Sequence, residues 1–96
     1  MAANGSGTLL PLAQLAPQSG SLKLPDWPEL EVFRLQKMAS QSRSGKQIYF
    51  LVSGELLIDL ASGAFLHLRP GDAAEVEGSH RLTAVSEAVM AAWKRS

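Results

Sequence analysis

The side chains that could carry chemistry in this chain are few. Two histidines are present, and the absence of cysteine excludes disulfides, thiolate metal sites and cysteine nucleophiles. No paired carboxylates, phosphate-binding glycine loop or nucleophile triad can be assembled from the remaining residues. Imidazole is the side chain best suited to proton transfer near neutral pH, so His80 is the first candidate for a functional residue. His67 alternates away from its leucine neighbours, which predicts a surface or interface histidine.

The alternation of side chains along strands predicts which residues share a face with His80. If Gln47 points into the interior, Tyr49 and Leu51 do so as well, and His80 shares its face with Leu82. This predicts a small polar cluster in an apolar cup, a composition typical of small-molecule pockets. Three roles remain open for the cluster: hydrogen bonds satisfied within the core, ligand binding, or general acid–base catalysis by His80.

The opposite face of the same predicted strand is apolar, because Ile48, Phe50 and Val52 alternate with Gln47 and Tyr49. Monomeric proteins seldom expose such a patch. We therefore predict that these three residues form the interface of a homodimer, lie under the N-terminal leucines, or both. The alternative is that a one-residue shift of register reverses inside and outside. The leucines that could cover the patch are Leu9, Leu10 and Leu12.

Short apolar runs separated by turn residues recur from residue 30 onward. The spacing of these runs predicts the strands of an antiparallel sandwich or barrel. The last run is ambiguous: residues 88–94 contain good helix formers after a candidate N-cap at Ser86, but a strand is favoured because the sheet needs a partner to close it. The runs are Leu30–Met38, Gln47–Val52, Leu56–Leu60, Phe65–Arg69, Ala73–Glu77, His80–Ala84 and Ala88–Lys94.

The N-terminal third differs in composition from the rest of the chain. It has a small polar start, several leucines and two prolines around Trp27 that disfavour regular helix or central strand. We predict a partly disordered N-terminal arm over residues 1–29, with one short extended piece, and a single β-barrel domain over residues 30–96.

The charge balance limits the possible partners. Nine Lys and Arg residues balance nine Asp and Glu residues, which argues against a nucleic-acid-binding surface. The basic residues Arg34, Lys37, Arg43 and Lys46 are spread thinly and predict a solvated rim. The sequence has no apolar run of membrane-spanning length and no signal-peptide pattern. With no cysteine, these features predict a soluble cytoplasmic protein without membrane contact.

Two motifs of the chain resemble those of the cupins. Residues 47–56 resemble the end of the first cupin motif, where a strand runs into a Gly-Glu-Leu-like turn. Residues 68–73, with their Pro-Gly-Asp turn, resemble the opening of the second motif, and residues 80–84 resemble the strand that carries its histidine. The resemblance covers residues 30–94 and implies a double-stranded β-helix, a cupin-like jelly-roll barrel with a pocket at one open end.

The resemblance also implies a metal site, but most of its ligands are missing here. Cupins usually bind a divalent metal through two histidines and a glutamate of the first motif and one histidine of the second. These positions fall near Ser40, Ser42 and Gln47 in the first motif, and only His80 is kept in the second. Hydroxyls and a neutral amide are poor ligands for transition metals. We therefore expect no metal or other cofactor, and His80 is the one position that could still hold a divalent metal.

These observations predict a small cupin-like protein that is a non-catalytic binding or accessory module, whose cup binds a small polar ligand or nothing. Its candidate ligand pocket contains His80, Gln47, Tyr49, Ser40 and Ser42. One alternative is a small cupin-type enzyme, an isomerase or dioxygenase, with an atypical site around His80. The other is a purely structural interaction protein that uses the outer apolar strand.

Overall fold

The computed structural model describes residues 7, 9–17, 20–24 and 26–95, and its regular secondary structure is almost entirely β-strand. Among these residues, no helix has the length and apolar character needed to cross a membrane. The elements are the helix α1 (Leu12–Leu15) and the strands β1 (Gly20–Leu24), β2 (Trp27–Leu35), β3 (Ser40–Arg43), β4 (Lys46–Leu60), β5 (Phe65–Leu68), β6 (Ala73–Val76) and β7 (His80–Arg95).

Two long antiparallel strands, β4 and β7, form the frame of the molecule. They pair along their whole length, from Lys46 opposite Arg95 to Leu60 opposite His80. One half of the frame also pairs with β2 and β6, and the other half pairs with β3 and β5. Strand β1 pairs with β2 at the edge. Every strand except β1 therefore has one of the two frame strands as a partner.

A bulge at Gly54 lets β4 bend without ending. Gly54 has a φ of 85°, and the register of β4 on β7 shifts within residues 51–56. A Cβ atom at Gly54 would lie 2.1 Å from the carbonyl oxygen of Glu87, so the two backbones approach more closely than any side chain allows. The sequence predicts turns at Ser53-Gly54 and at residues 85–87. That prediction is wrong, because both segments continue as strand.

The bend divides the sheet into two layers that face each other. Strands β1, β2 and β6 with one half of the frame make a five-stranded layer, and β3 and β5 with the other half make a four-stranded layer. The predicted all-β, jelly-roll-like barrel is confirmed. The core between the layers contains Phe33, Tyr49, Leu51, Leu56, Ile58, Leu68, Val76, Leu82, Ala84, Ala88, Met90 and Ala92.

Residues 88–94 belong to β7, so the strand alternative for this segment is confirmed. Ala88, Met90 and Ala92 face the core between the layers, whereas Val89 lies in a separate apolar cluster on the other side of the strand. Burial on both sides by neighbouring elements outweighs the helix propensity of alanine and methionine.

Part of the segment predicted as an N-terminal arm lies in the sheet. Within it, β1 pairs with β2, and β2 begins at Trp27, before residue 30. Leu9 and Leu10 are exposed. Residues 1–6, in the stretch predicted to be partly disordered, lie outside the described residues.

The helix α1 covers one end of the five-stranded layer. Leu12 and the neighbouring Ala16 pack against Val32, Val52 and Val89 on the side of the layer that faces away from the core. Val52 is therefore covered by the N-terminal segment. This is one of the two predicted alternatives, the other being a homodimer interface.

Arg34 ties the N-terminal segment to β2. Its guanidinium donates hydrogen bonds to the carbonyl oxygens of Ala13 and Pro17, at 3.1 and 3.2 Å, and forms an ion pair with Glu87 at 3.2 Å. The prediction that Arg34 belongs to a solvated rim is wrong, because the guanidinium satisfies carbonyl groups at the end of α1 that helix geometry leaves without partners.

Replacing Gly54 by alanine tests the bulge. We expect G54A to lose more stability than G63A, measured by urea denaturation followed by circular dichroism. Both glycines have positive φ, which costs a residue with a Cβ about 1–2 kcal/mol. A Cβ at Gly63 meets nothing within 4 Å, whereas one at Gly54 overlaps the Glu87 backbone. Equal losses of stability in G54A and G63A would show that the close approach of Gly54 to the Glu87 backbone is not what requires glycine there.

Candidate functional site

Three polar side chains form a hydrogen-bonded chain at one end of the core. Gln47 and Tyr49 lie two residues apart on the core face of β4, and His80 begins β7. The Tyr49 hydroxyl is 2.8 Å from Gln47 Oε1 and 2.7 Å from His80 Nε2. All three side chains are buried. The structure therefore brings together three of the five residues predicted to line a pocket.

The Gln47 amide has one orientation, set by its neighbours. Its Nε2 donates to the carbonyl oxygen of Ser44 at 3.1 Å, and its Oε1 accepts from Arg43 Nη1 at 3.1 Å. A carbonyl group only accepts and a guanidinium only donates, so the two ends of the amide cannot be exchanged. The Tyr49 hydroxyl consequently donates its one proton to Gln47 Oε1.

The His80 ring is engaged at both nitrogens. Its Nδ1 lies 2.8 Å from the carbonyl oxygen of Gly78, which can only accept, so Nδ1 carries a proton. Its Nε2 lies 2.7 Å from the Tyr49 hydroxyl, so both ring nitrogens have a hydrogen-bond partner within the protein.

Arg43 is the cation of this cluster. Its guanidinium makes two hydrogen bonds to the Glu31 carboxylate, at 2.9 and 3.0 Å, and lies over the Phe33 ring with Cζ 4.3 Å from the centroid. The Arg43 side chain is 12% exposed, so the prediction that it belongs to a solvated rim is wrong. It lies on β3, a short polar strand that no apolar run marks, and alternation could not show which way it points.

The packing of the cluster sets the pKa values of Glu31 and Tyr49. Burial by itself raises the pKa of Glu31, but hydrogen bonds from Arg43 and Ser21, with the charges of Arg43 and Lys23, outweigh burial and hold this pKa below its ordinary 4.5. Burial raises the pKa of Tyr49 to about 12, against the opposing charge of Arg43. At neutral pH the cluster contains an ionised carboxylate and a protonated phenol.

Ser40 and Ser42, the other two predicted pocket residues, are exposed on β3. In this strand Arg43 lies opposite His80, and Ser42 lies opposite Arg81. Successive side chains point to opposite faces of a sheet, so the serines share a face with Arg81 and not with His80. Ser42 borders an open groove that also reaches His80. The structure does not bring Ser40 to the polar cluster.

Two open grooves border Arg43 and Ser44 at this end of the molecule. The first, called the His80 groove, has a volume of about 480 Å³, and its lining includes Ser42, Asp59, Ser79, His80 and Arg81. The second, called the lysine groove, has a volume of about 430 Å³, and its lining includes Ser21, Lys23, Glu31, Gln47 and Lys94.

Comparisons with known proteins identify the fold. No family model and no curated protein matches the chain. A cupin superfamily protein of Desulfitobacterium hafniense has a TM-score of 0.72 at 14% identity, over 97% of this chain and 94% of that one. The chain has a cupin fold. A protein of Neisseria meningitidis has a TM-score of 0.71 at 19% identity, over 88% and 91% of the two chains.

An enzyme is also among the structures that share the cupin fold. Ectoine synthase of P. lautus has a TM-score of 0.63 at 19% identity, over 75% of this chain and 58% of that one. At such identities the likeness shows the fold alone. The fold that the sequence motifs imply is confirmed.

The residues at the cupin metal positions do not fit a metal ion. Both ring nitrogens of His80 are used, and the Oε1 of Gln47 accepts a bond from Arg43, whose charge repels a cation. Ser40 and Ser42 lie on the other face of β3. In the part of the chain that the structure describes, no three His, Cys, Asp or Glu side chains are grouped so as to hold a metal ion.

Glu31 makes the stability of the protein sensitive to acid. Its folded pKa is below the unfolded value near 4.5, so the stabilisation is present above that value and is lost as the pH falls through the folded pKa. We expect the free energy of unfolding of E31Q to fall less than that of the unaltered protein between neutral pH and about pH 3. Urea denaturation at a series of pH values measures this.

The matched control is E75Q, which removes an exposed carboxylate on β6. E75Q should lose as much free energy of unfolding on acidification as the unaltered protein does. An equal acid-induced loss in E31Q and the unaltered protein would show that the Glu31–Arg43 pair contributes nothing to the pH dependence.

Proposed function

We propose that the chain is a non-catalytic binding module with the cupin fold, which acts as a homodimer and takes a small polar ligand at the open end of its barrel. The main observation behind this proposal concerns the polar cluster of Glu31, Arg43, Gln47, Tyr49 and His80, whose hydrogen-bonding groups are already paired within the protein. Among the described residues, every buried side-chain nitrogen and oxygen has a hydrogen-bond partner. The groups of this cluster are held by bonds to one another and to neighbouring protein atoms, which supports a structural role for them.

The individual groups of the cluster support a non-catalytic role. The pKa of Tyr49, raised to about 12 by burial, keeps the phenol protonated, so it is neither a base nor a nucleophile at neutral pH. The Glu31 carboxylate is ionised, but both of its oxygens accept bonds from Arg43. His80 is held between Gly78 and Tyr49.

Metal analysis of the purified protein tests the non-catalytic proposal. We expect far less than one iron, manganese, zinc or nickel ion per chain by elemental mass spectrometry, because hydroxyl and amide groups replace the usual ligands. The measurement is repeated after incubation with each metal and dialysis, so that a metal lost during purification is also detected. A stoichiometric metal in either sample would overturn the proposal.

The homodimer is proposed on the outer face of the five-stranded layer, the side that faces away from the core. Leu22 and Phe50 on this face are 36% and 43% exposed. They belong to one cross-strand row that also contains Val32 and Ala91 and ends at Ala73 on β6. The neighbouring row contains Leu30, Trp93 and Ile48. These side chains are apolar and form a patch beside the end covered by α1. Val32 and Ala91 are buried within it, and the exposed carboxylate of Glu75 lies at its β6 edge, opposite Ile48.

The edge of the patch includes a pair of tryptophans. Trp27 is 50% exposed, and its ring meets that of Trp93 at 6.0 Å in an edge-to-face arrangement. Exposed aromatic rings beside an apolar sheet face are typical of protein interfaces. Of the three residues predicted for the interface, Ile48 and Phe50 lie in the patch, and Val52 packs beneath α1.

A second copy of the chain is the occupant that fits this patch. The formal net charge of zero means that two identical copies do not repel each other. A chain of this length buries a limited fraction of its surface alone, and a twofold dimer is the most common way to bury more. The outer face of the four-stranded layer is more polar. Phe65 is exposed there, opposite Asp59, among exposed polar side chains that include Ser40, Ser42, Asp59, His67 and Arg81.

Phe50→Asp tests the interface. We expect the unaltered protein to sediment as a dimer and F50D to sediment as a monomer in analytical ultracentrifugation, because burying an unpaired carboxylate in an apolar interface is strongly unfavourable. The matched control is F65D, which changes a phenylalanine that is 64% exposed on β5, in the other layer. F65D should remain dimeric. A dimeric F50D with an unchanged circular dichroism spectrum would overturn the proposed interface.

A small cupin-type enzyme, an isomerase or dioxygenase, is the second candidate, and the His80 groove favours it. His80 and Asp59 border one open space of about 480 Å³, and Arg81 lies opposite Asp59 in the β4–β7 pair. An imidazole, a carboxylate and a guanidinium around one cavity are groups that enzymes use. The metal analysis described above separates the two candidates, because a bound stoichiometric metal would favour the enzyme.

A further inference from the structure

We propose that the ligand of this module is a small oxyanion, held in the lysine groove between the ammonium groups of Lys23 and Lys94. This inference rests on the proposed binding function and adds the chemical class of the ligand and the place where it binds. It moves the binding site away from His80, which the sequence marks as the first candidate, to the cationic end of the five-stranded layer.

The pairing of the strands places both lysines on the core side of the layer. Lys23 lies opposite Glu31, which lies opposite Ala92, so Lys23 shares a face with these residues. Lys94 lies two residues beyond Ala92 on the same side of β7, opposite Gln47. With one strand between them, the two Cα atoms are about 12 Å apart, a separation that two lysine side chains can close around one anion.

The strand position between Glu31 on β2 and Tyr49 on β4 is taken by Ala92, a small buried residue that adds little bulk near the groove. The resulting cavity of about 430 Å³ is open to solvent and has room for a small metabolite. A cavity of this size does not hold an extended polymer.

The charges around the groove favour an anion. Its lining contains three cationic side chains and one carboxylate, an excess of two positive charges. The carboxylate of Glu31 is already neutralised by the guanidinium of Arg43. Among the residues that the structure describes, neither Lys23 nor Lys94 has a carboxylate within ion-pair distance. The charge of Lys23 also acts on Glu31, but neither ammonium group is held in an ion pair, so both can contact a negatively charged ligand.

A hydroxyl group adds a further donor. Ser44 borders the groove, whereas the Ser21 hydroxyl, also at its border, already bonds to Glu31. A hydroxyl donor next to ammonium groups is suited to the oxygens of a phosphate or a carboxylate. The His80 groove has a smaller excess of positive charge, because two guanidinium groups, of Arg43 and Arg81, and one carboxylate, of Asp59, border it. The zero net charge of the whole chain fits a small anion better than a nucleic acid.

The test is a titration of the full-length protein with inorganic phosphate, followed by two-dimensional ¹H–¹⁵N NMR at constant ionic strength with chloride as the balancing anion. We expect saturable shifts of the amide signals of Lys23, Ser44 and Lys94. A parallel titration with succinate distinguishes a phosphate site from a carboxylate site, and saturation by either one supports the inference.

Charge-removing variants locate the site. K23Q and K94Q should each weaken the binding of the probe about two- to fivefold, as expected for partly exposed ion pairs, and the double variant should lose saturation. K37Q removes an exposed lysine from the turn after β2 and is the matched control. Its binding should equal that of the unaltered protein. Equal weakening in K37Q and K23Q would overturn the inference by showing a non-specific charge effect.

The remaining outcomes separate the inference from the proposed function. Saturable shifts confined to the signals of Ser79, His80 and Arg81 would overturn the lysine groove as the site and leave the binding function in place. Shifts that increase linearly with both probes, without saturation, would overturn the oxyanion inference. The metal analysis and the F50D experiment test the proposed function independently of either probe.

Discussion

The full-length antiparallel pairing of β4 with β7 is the constraint on which the rest of this structure depends. The two strands are direct partners of every other strand except β1, and their shared bend turns one long ribbon into two layers. Without the bend, the apolar side chains of both halves would lie on one flat face with nothing to pack against. The bend requires the β4 backbone to come within contact distance of the Glu87 carbonyl, which only a residue without Cβ allows. The bend, and with it the core between the two layers, therefore depends on the absence of a side chain at Gly54.

The open end of the barrel is organised around a guanidinium. Arg43 holds the Glu31 carboxylate with two bonds, orients the Gln47 amide and stacks on Phe33. Taking this charge pair out of water is costly, and it persists because each polar atom finds a partner and the ring face stabilises the cation. The cluster is consequently complete without a ligand. Binding is proposed at its borders, where Lys23 and Lys94 lack carboxylate partners within the described residues, and on the apolar outer face.

Sequence patterns predicted the architecture better than they predicted the site. Alternation along β4 placed Gln47 and Tyr49 in the interior, and the Pro-Gly-Asp turn indicated the fold. The continuity of β4 could not be predicted, because a glycine in a bulge and a glycine in a hairpin turn have the same local signature, and only contact with Glu87 distinguishes them. The burial of Arg43 could not be predicted either, since β3 is too short and too polar to show an alternation of apolar and polar residues. Its partner Glu31 lies on β2 in the other layer, and the two side chains meet only when the layers pack together.

The position of β7 in the chain has a consequence for the route of folding. Its pairings join residue 30 with residue 93 and residue 46 with residue 95, so closing these long loops precedes most of the favourable contacts. As the chain is synthesised, β2, β3 and β4 emerge well before the strand that pairs with all three of them. Their unpaired edges are open to other chains during that interval. The period of greatest risk of misassembly ends only when residues 80–95 become available.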